Sequence, residues 1–267
     1  MMGVEAPPQR AAVWTERRRR ARELIDRHPF AADQLRLYLA LLDVQEPAFH
    51  EAHGDPPPAA AIPGYVADRV LPRVVEVTAA HGPTTLARAV LHPGRRDGGA
   101  ARIAAWLRDE AQDPVSRYLA RAAAGPVLEA LGRAAGLQPA DRADGRRCPT
   151  CGGWPQLGYF ADMGEALVTA PRQLVCARCQ RPWTFARMIC AGCGEQSGSK
   201  LAIYAETERF PHLRVDACES CGGYLLTVDV RTDPGAVPIV DELAALPLDL
   251  YAREQGKRKL VPNLMGL

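Results

Sequence analysis

The sequence predicts an α+β chain of several domains: an all-α N-terminal half, two tandem small β modules each built on four cysteines, and a short C-terminal helix. Three observations predict it. All eight Cys fall in the second half, as four CxxC pairs. Apolar residues before about position 140 recur at helical spacing. Composition also shifts there: residues 1–144 hold 19 Arg, 18 acidic residues and neither Lys nor Cys, whereas residues 145–267 hold 14 basic residues, 13 acidic residues and every Cys. The boundaries expected are 1–140 for the helical domain, 145–187 and 188–235 for the two modules, and 236–267 for the last helix and tail.

Along the first half, residues 1–12 read as a frayed end and Val13 to His28 as a helix stopped before Pro29. Leu35, Tyr38, Leu39 and Leu42 lie at i, i+3, i+4 and i+7, one face of a helix running to about His53. Gly54-Asp55-Pro56-Pro57-Pro58 ends it. Val66, Val70, Val74 and Val77 continue the period, with Pro72 as a kink or boundary. Further helices are expected over 84–92, 99–110, 114–123 and 126–135. Pro126 is placed at a first turn, where its missing N–H matters little. A polar linker, Gln138 to Arg147, follows. Strands are expected at 157–160, 173–175, 183–188, 201–205, 213–215 and 224–230, and a last helix over about 240–255, interrupted at Pro247.

The cysteine spacing has an internal period. Twenty-four residues separate Cys151 from Cys176, and twenty-four again separate Cys193 from Cys218; only ten lie between Cys179 and Cys190. The parse is two successive CxxC-x24-CxxC modules. The first uses Cys148, Cys151, Cys176 and Cys179; the second uses Cys190, Cys193, Cys218 and Cys221. Two Cys three apart in a tight turn aim both sulfurs at one point, and two such knuckles complete a tetrahedral metal site. Gly152, Gly194 and Gly222 follow the second Cys of three knuckles, a position that favours positive φ; the remaining knuckle has Gln180 there. Tetrathiolate sites take zinc or iron. Arg146, Arg147, Arg178, Arg181 and Arg187 flank the knuckles and are candidates to offset the charge of −2 that a divalent ion leaves on four thiolates.

Net charge is +2. No stretch approaches the roughly 18 to 20 apolar residues of a membrane helix, and the Arg17–Arg20 run lacks the apolar segment of an export signal. That run reads as a solvated helix face, and a cytoplasmic location without membrane association is expected. Thiols stay reduced in that compartment, which favours metal over disulfides. A nucleic-acid partner is not expected. Residues 145–267 have a balance of +1, and two divalent tetrathiolate sites would bring it to about −3. The six His read as surface or helix-end residues, Trp183 and Tyr224 as packing within the modules, and the basic tail at Arg253, Lys257, Arg258 and Lys259 as a solvated end. No catalytic dyad, phosphate loop or HExxH is visible, so no enzyme activity is expected.

Several stretches resemble one family. They are Cys148-Pro149-Thr150-Cys151-Gly152; Cys176 to Cys179 with Trp183 and Arg187; Cys190 to Cys193; Arg214-Val215-Asp216-Ala217-Cys218-Glu219-Ser220-Cys221-Gly222-Gly223-Tyr224-Leu225 with Asp229 and Asp233-Pro234; Val240 to Ala244 and Asp249-Leu250; and Pro262-Asn263. Leu35 to Tyr38 adds an upstream match. Together they resemble the formate dehydrogenase accessory protein FdhE family. The resemblance implies a helical domain followed by two rubredoxin-like ribbons, with rubredoxin-type iron or zinc in each. It also implies a non-catalytic assembly role, binding the catalytic subunit of formate dehydrogenase in the cytoplasm. The other classes considered are a rubredoxin-like electron carrier and a nucleic-acid-binding zinc-ribbon protein. Oligomeric state is not legible.

Overall fold

Proline and glycine decide where the helices of the first half stop and turn. The structure, a computed structural model, describes residues 10–93, 97–137, 144–161 and 171–266. Most of the segment read as frayed, and residues 138–143 of the expected linker, lie outside them. The helices are α1 (Arg10–Arg27), α2 (Ala32–Gly54), α3 (Ile62–Arg69), α4 (Leu71–His81), α5 (Thr84–Val90), α6 (Gly99–Leu107) and α7 (Pro114–Leu131). Leu35, Tyr38 and Leu42 are buried on one face of α2, as their spacing predicts. Pro72 marks a boundary: α3 ends before Val70, and Pro72 sits in the first turn of α4.

One helix reading is corrected. Residues 114–131 form a single helix with Pro126 inside it, not two helices starting afresh at Pro126. A proline there leaves the carbonyl four residues back without its helical donor. That carbonyl belongs to Ala122, and the buried Gln45 side chain of α2 donates to it at 2.9 Å. A side chain from the neighbouring helix thus takes the place of the missing N–H.

The second half forms β1 (Pro155–Phe160), β2 (Arg172–Cys176), β3 (Pro182–Phe185), β4 (Leu201–Ala205), β5 (Leu213–Cys218), β6 (Gly223–Asp229), α8 (Pro238–Ala244), α9 (Leu246–Glu254) and β7 (Arg258–Lys259). Two short helices thus replace the one expected, and β7 was not anticipated. Each module contributes an antiparallel three-stranded ribbon, and the two share one sheet of order β3-β2-β1-β6-β5-β4. Parallel pairing of β1 with β6 joins them, Gly158 facing Thr227 and Tyr159 facing Val228. A Cβ at Gly158 would fall 2.9 Å from Thr227 Oγ1, so glycine permits this approach. Beside the seam Arg172 of the first ribbon pairs with Asp216 of the second at 3.1 Å, and Thr227 donates to the same carboxylate. β7 lies parallel to β6.

Buried charge ties the helices and the C-terminal segment to the sheet, and three surface readings are corrected by it. Arg17 and Arg20 are buried, so Arg17–Arg20 is not a solvated face. Arg20 reaches Asp241 at 2.5 Å and Asp233 at 2.6 Å, and His212 meets Asp241 at 2.8 Å. Burial alone would lower the Arg20 pKa; the two carboxylates reverse that and raise it. His28 and His212 are likewise buried rather than superficial, His28 stacking on Phe210 with centroids 4.9 Å apart. Lys259 is no solvated tail residue: it lies between Glu242 (2.8 Å) and Asp249 (2.9 Å). Tyr224 donates to Asp249 at 2.8 Å, and Gln156 of β1 donates to Glu242 at 2.8 Å.

Removing one partner of a buried ion pair strands the other. Arg20→Met should therefore destabilise the chain by about 3–5 kcal/mol in urea unfolding. Arg19→Met, on the exposed side of the same run, should stay within about 1 kcal/mol.

Candidate metal centres

Each CxxC pair folds as the same knuckle. The carbonyl of its first Cys accepts from the N–H four residues on: Gly152 to Cys148 (2.9 Å), Gln180 to Cys176 (3.2 Å), Gly194 to Cys190 (3.0 Å) and Gly222 to Cys218 (2.9 Å). That turn closes with the donor residue at positive φ. The three glycines have φ of 69°, 84° and 67°, and Gln180 adopts the same conformation at 56°. The fourth knuckle therefore keeps the common geometry despite lacking glycine, at the strain a non-glycine residue bears there. Backbone N–H groups face the sulfurs: Thr150 on Cys148 (3.4 Å), Arg178 on Cys176 (3.3 Å), Gly192 on Cys190 (3.3 Å) and Gly223 on Cys221 (3.4 Å).

The sulfurs gather in two groups. Cys148, Cys151, Cys176 and Cys179 form one; Cys190, Cys193, Cys218 and Cys221 form the other; within each, the sulfurs lie within 4.8 Å of one another. Contacts in the first are 3.7 Å (Cys148–Cys179), 3.4 Å (Cys151–Cys176) and 3.5 Å (Cys151–Cys179). In the second they are 3.8 Å (Cys190–Cys221) and 3.7 Å (Cys193–Cys218). A regular tetrahedron with metal–sulfur bonds of about 2.3 Å has edges of about 3.8 Å. A disulfide needs about 2.05 Å, and all eight cysteines are free. Both groups thus have the donor set and spacing of a tetrathiolate site and could hold a metal ion.

Surroundings distinguish the two groups. The first is buried throughout, under Trp183, Phe185 and residues of α7. In the second, Cys193 is exposed and Cys221 half-buried. Burial pushes the Cys176 and Cys190 thiols up, and neighbouring sulfurs add to the rise, so four thiols this close do not all ionise without a cation. Of the flanking arginines, Arg146, Arg147 and Arg178 donate to knuckle carbonyls, those of Gly192, Gly152 and Cys151. Arg187 lies over Phe160 and Arg181 is exposed. Trp183 and Tyr224 are buried, the Trp183 indole donating to Gly145 at 2.8 Å. Sequence reasoning missed the His212, Asp233 and Asp241 group; the Arg20 guanidinium bonds both carboxylates and so already occupies it.

Fold and cysteine groups define the class: a helical protein carrying a pair of four-cysteine ribbons on one shared sheet. Residues 188–265 match the family model described as FdhE, C-terminal domain. A protein FdhE homolog of Aquifex aeolicus is 32% identical over 119 residues, 45% of this chain and 41% of that relative. One of Stutzerimonas stutzeri is 33% identical over 126 residues, 47% of this chain and 40% of the relative. The aligned region thus spans about two fifths of each relative's length. The crystal structure of the FdhE protein from Pseudomonas aeruginosa superposes with a TM-score of 0.68 at 23% identity, covering 97% of both chains, which shows a common fold. The C-terminal match and the shared fold agree with the resemblance read from the cysteine segments. No described helix is long and apolar enough to cross a membrane.

Exposure sets an order of thiol reactivity. Limited treatment of the reduced, metal-loaded chain with iodoacetamide should label Cys193 first and Cys221 next, with Cys148, Cys151, Cys176 and Cys179 last. Peptide mass mapping over time reads that order.

Proposed function

We propose that this chain is an accessory protein for formate dehydrogenase assembly, binding the enzyme's catalytic subunit in the cytoplasm and holding one metal ion in each ribbon. The observation that carries the metal reading is the pair of four-sulfur groups at tetrahedral spacing. The FdhE-like C-terminal domain supports the client reading. Cys148, Cys151, Cys176 and Cys179 would hold the first ion, and Cys190, Cys193, Cys218 and Cys221 the second. Iron or zinc suits four thiolates equally. A bound ion would supply the positive charge that lets four clustered thiols ionise together. The chain's own residues do the rest: knuckle N–H groups share the thiolate charge, and the ribbons present a fixed surface. No step of formate oxidation is assigned to this chain.

Protons compete with metal for the thiols, so metal retention should fall as pH falls. The first site can be perturbed on its own. A Cβ at Gly153 would lie 2.7 Å from Cys176 Sγ, whereas one at Gly198 meets only Met188 Cε at 3.8 Å. Anaerobically purified chain should carry two metals, Gly153→Ala close to one, and Gly198→Ala two, by elemental analysis. Less than about one metal in the parent chain would defeat the metal reading. Co-purification with a formate dehydrogenase catalytic subunit tests the other half, and failure of the metal-loaded chain to retain that subunit would sink it.

A further inference from the structure

A cavity of about 370 Å³ opens between α6, α7, the first ribbon and the segment after β7, within the roughly 300–1,000 Å³ typical of small-ligand sites. Arg117 and Arg121, one turn apart on α7, both line it. The Arg117 guanidinium makes no hydrogen bond or ion pair with any described residue. Arg121 donates only to uncharged oxygens, the Pro262 carbonyl at 2.5 Å and Gln156 Oε1. Burial pushes its guanidinium down to about 10; Glu242 and Cys176 oppose this in part, and Arg117 adds to it. The acids of the lining are already matched. Asp109 is held by Arg147 at 3.1 Å and Arg178 at 2.6 Å, and Glu110 by Arg108 at 2.5 Å.

The cavity therefore offers two adjacent guanidinium groups with no carboxylate hydrogen-bonded to them, the arrangement that recognises a carboxylate. It also lacks a donor. Gln112 gives its Nε2 to the Arg102 carbonyl at 2.6 Å, while its buried Oε1 has no partner. A buried acceptor left unmade costs about 1–3 kcal/mol. Trp106 and Trp154 supply apolar wall.

We propose that this cavity binds the carboxylate end of a peptide chain. The terminal carboxylate lies on Arg117 and Arg121. The amide N–H beside it donates to Gln112 Oε1. An apolar or aromatic last side chain rests on the two indoles. A plain aromatic acid would satisfy the arginines and leave Gln112 without a donor, so the N–H distinguishes a peptide end from a free acid. The reading rests on α6, α7 and the first ribbon and does not depend on what the assembly client is.

The test is calorimetric titration of the full metal-loaded chain with N-acetyl-Ala-Phe, its C-terminal amide, 3-phenylpropionate and inorganic phosphate. The free-acid peptide should bind saturably at one per chain, and the other three at least about tenfold more weakly. Arg117→Ala should weaken the peptide about tenfold while leaving the urea midpoint unchanged, because Arg117 holds no other group in place. The proposal is overturned if the peptide gives no saturable binding at millimolar concentration, if any of the other three probes binds as tightly, or if Arg117→Ala binds like the parent.

Discussion

Four cysteine sulfurs held within 4.8 Å of one another are an arrangement that reduced thiols do not maintain unaided. Ionised, they repel; protonated, they make only weak hydrogen bonds. Everything else in the second half is built around this requirement. The knuckles close on a left-handed residue, the N–H groups point inward, and each ribbon has three short strands. A ribbon of about 30 residues cannot bury enough surface to be stable alone. A tetrathiolate ion would supply the missing free energy, about 10–16 kcal/mol in isolated finger peptides. The constraint therefore accounts for residue types that packing alone would not select.

The ribbons are also held by packing against the rest of the chain. They share a sheet through the β1–β6 seam, and the apolar cluster that covers the first four sulfurs continues into α2, α4 and α7. The second ribbon packs in an apolar cluster of its own with Ala245, Leu248 and Ala252, and buried charge is added to it. Arg20 of α1 reaches Asp233 and Asp241, and Lys259 reaches Glu242 and Asp249. These pairs contribute less net stability than their geometry suggests, because each ion loses its water on burial. Their stronger effect is on register. A buried cation held between two carboxylates tolerates no slippage of α8 or β7 against the sheet.

This division explains what was legible in the sequence. Helix positions followed the 3.6 period, and the six main strands fell close to their expected places, because both signals are local. The cysteine grouping was legible for a similar reason: the repeat of 24 intervening residues is a property of the chain itself. What was missed is long-range. Arg20 and Asp241 are 221 residues apart, and nothing near either one distinguishes a buried arginine from a solvated one. Pro126 was misread because the compensating donor, Gln45, lies on another helix, 77 residues from the Ala122 carbonyl it satisfies. Lys259 looked like tail because the carboxylates that bury it only become its neighbours once α8 and α9 fold back.

The two sulfur groups then differ for a reason that lies in the architecture and not in their ligands. Both have identical spacing, the same knuckle turns and near-equal sulfur contacts. The first sits where the sheet meets the helices, so every sulfur is covered. The second sits at the far end of the sheet, where α9 packs on β4 and β5 but leaves Cys193 open to solvent. Exchange at a tetrathiolate site begins when a competing ligand reaches one sulfur or the ion. Access therefore controls the rate even where donor set and geometry are the same. A repeated module placed once inside and once outside gives one chain a covered sulfur group and an accessible one, with the same cysteine spacing in both.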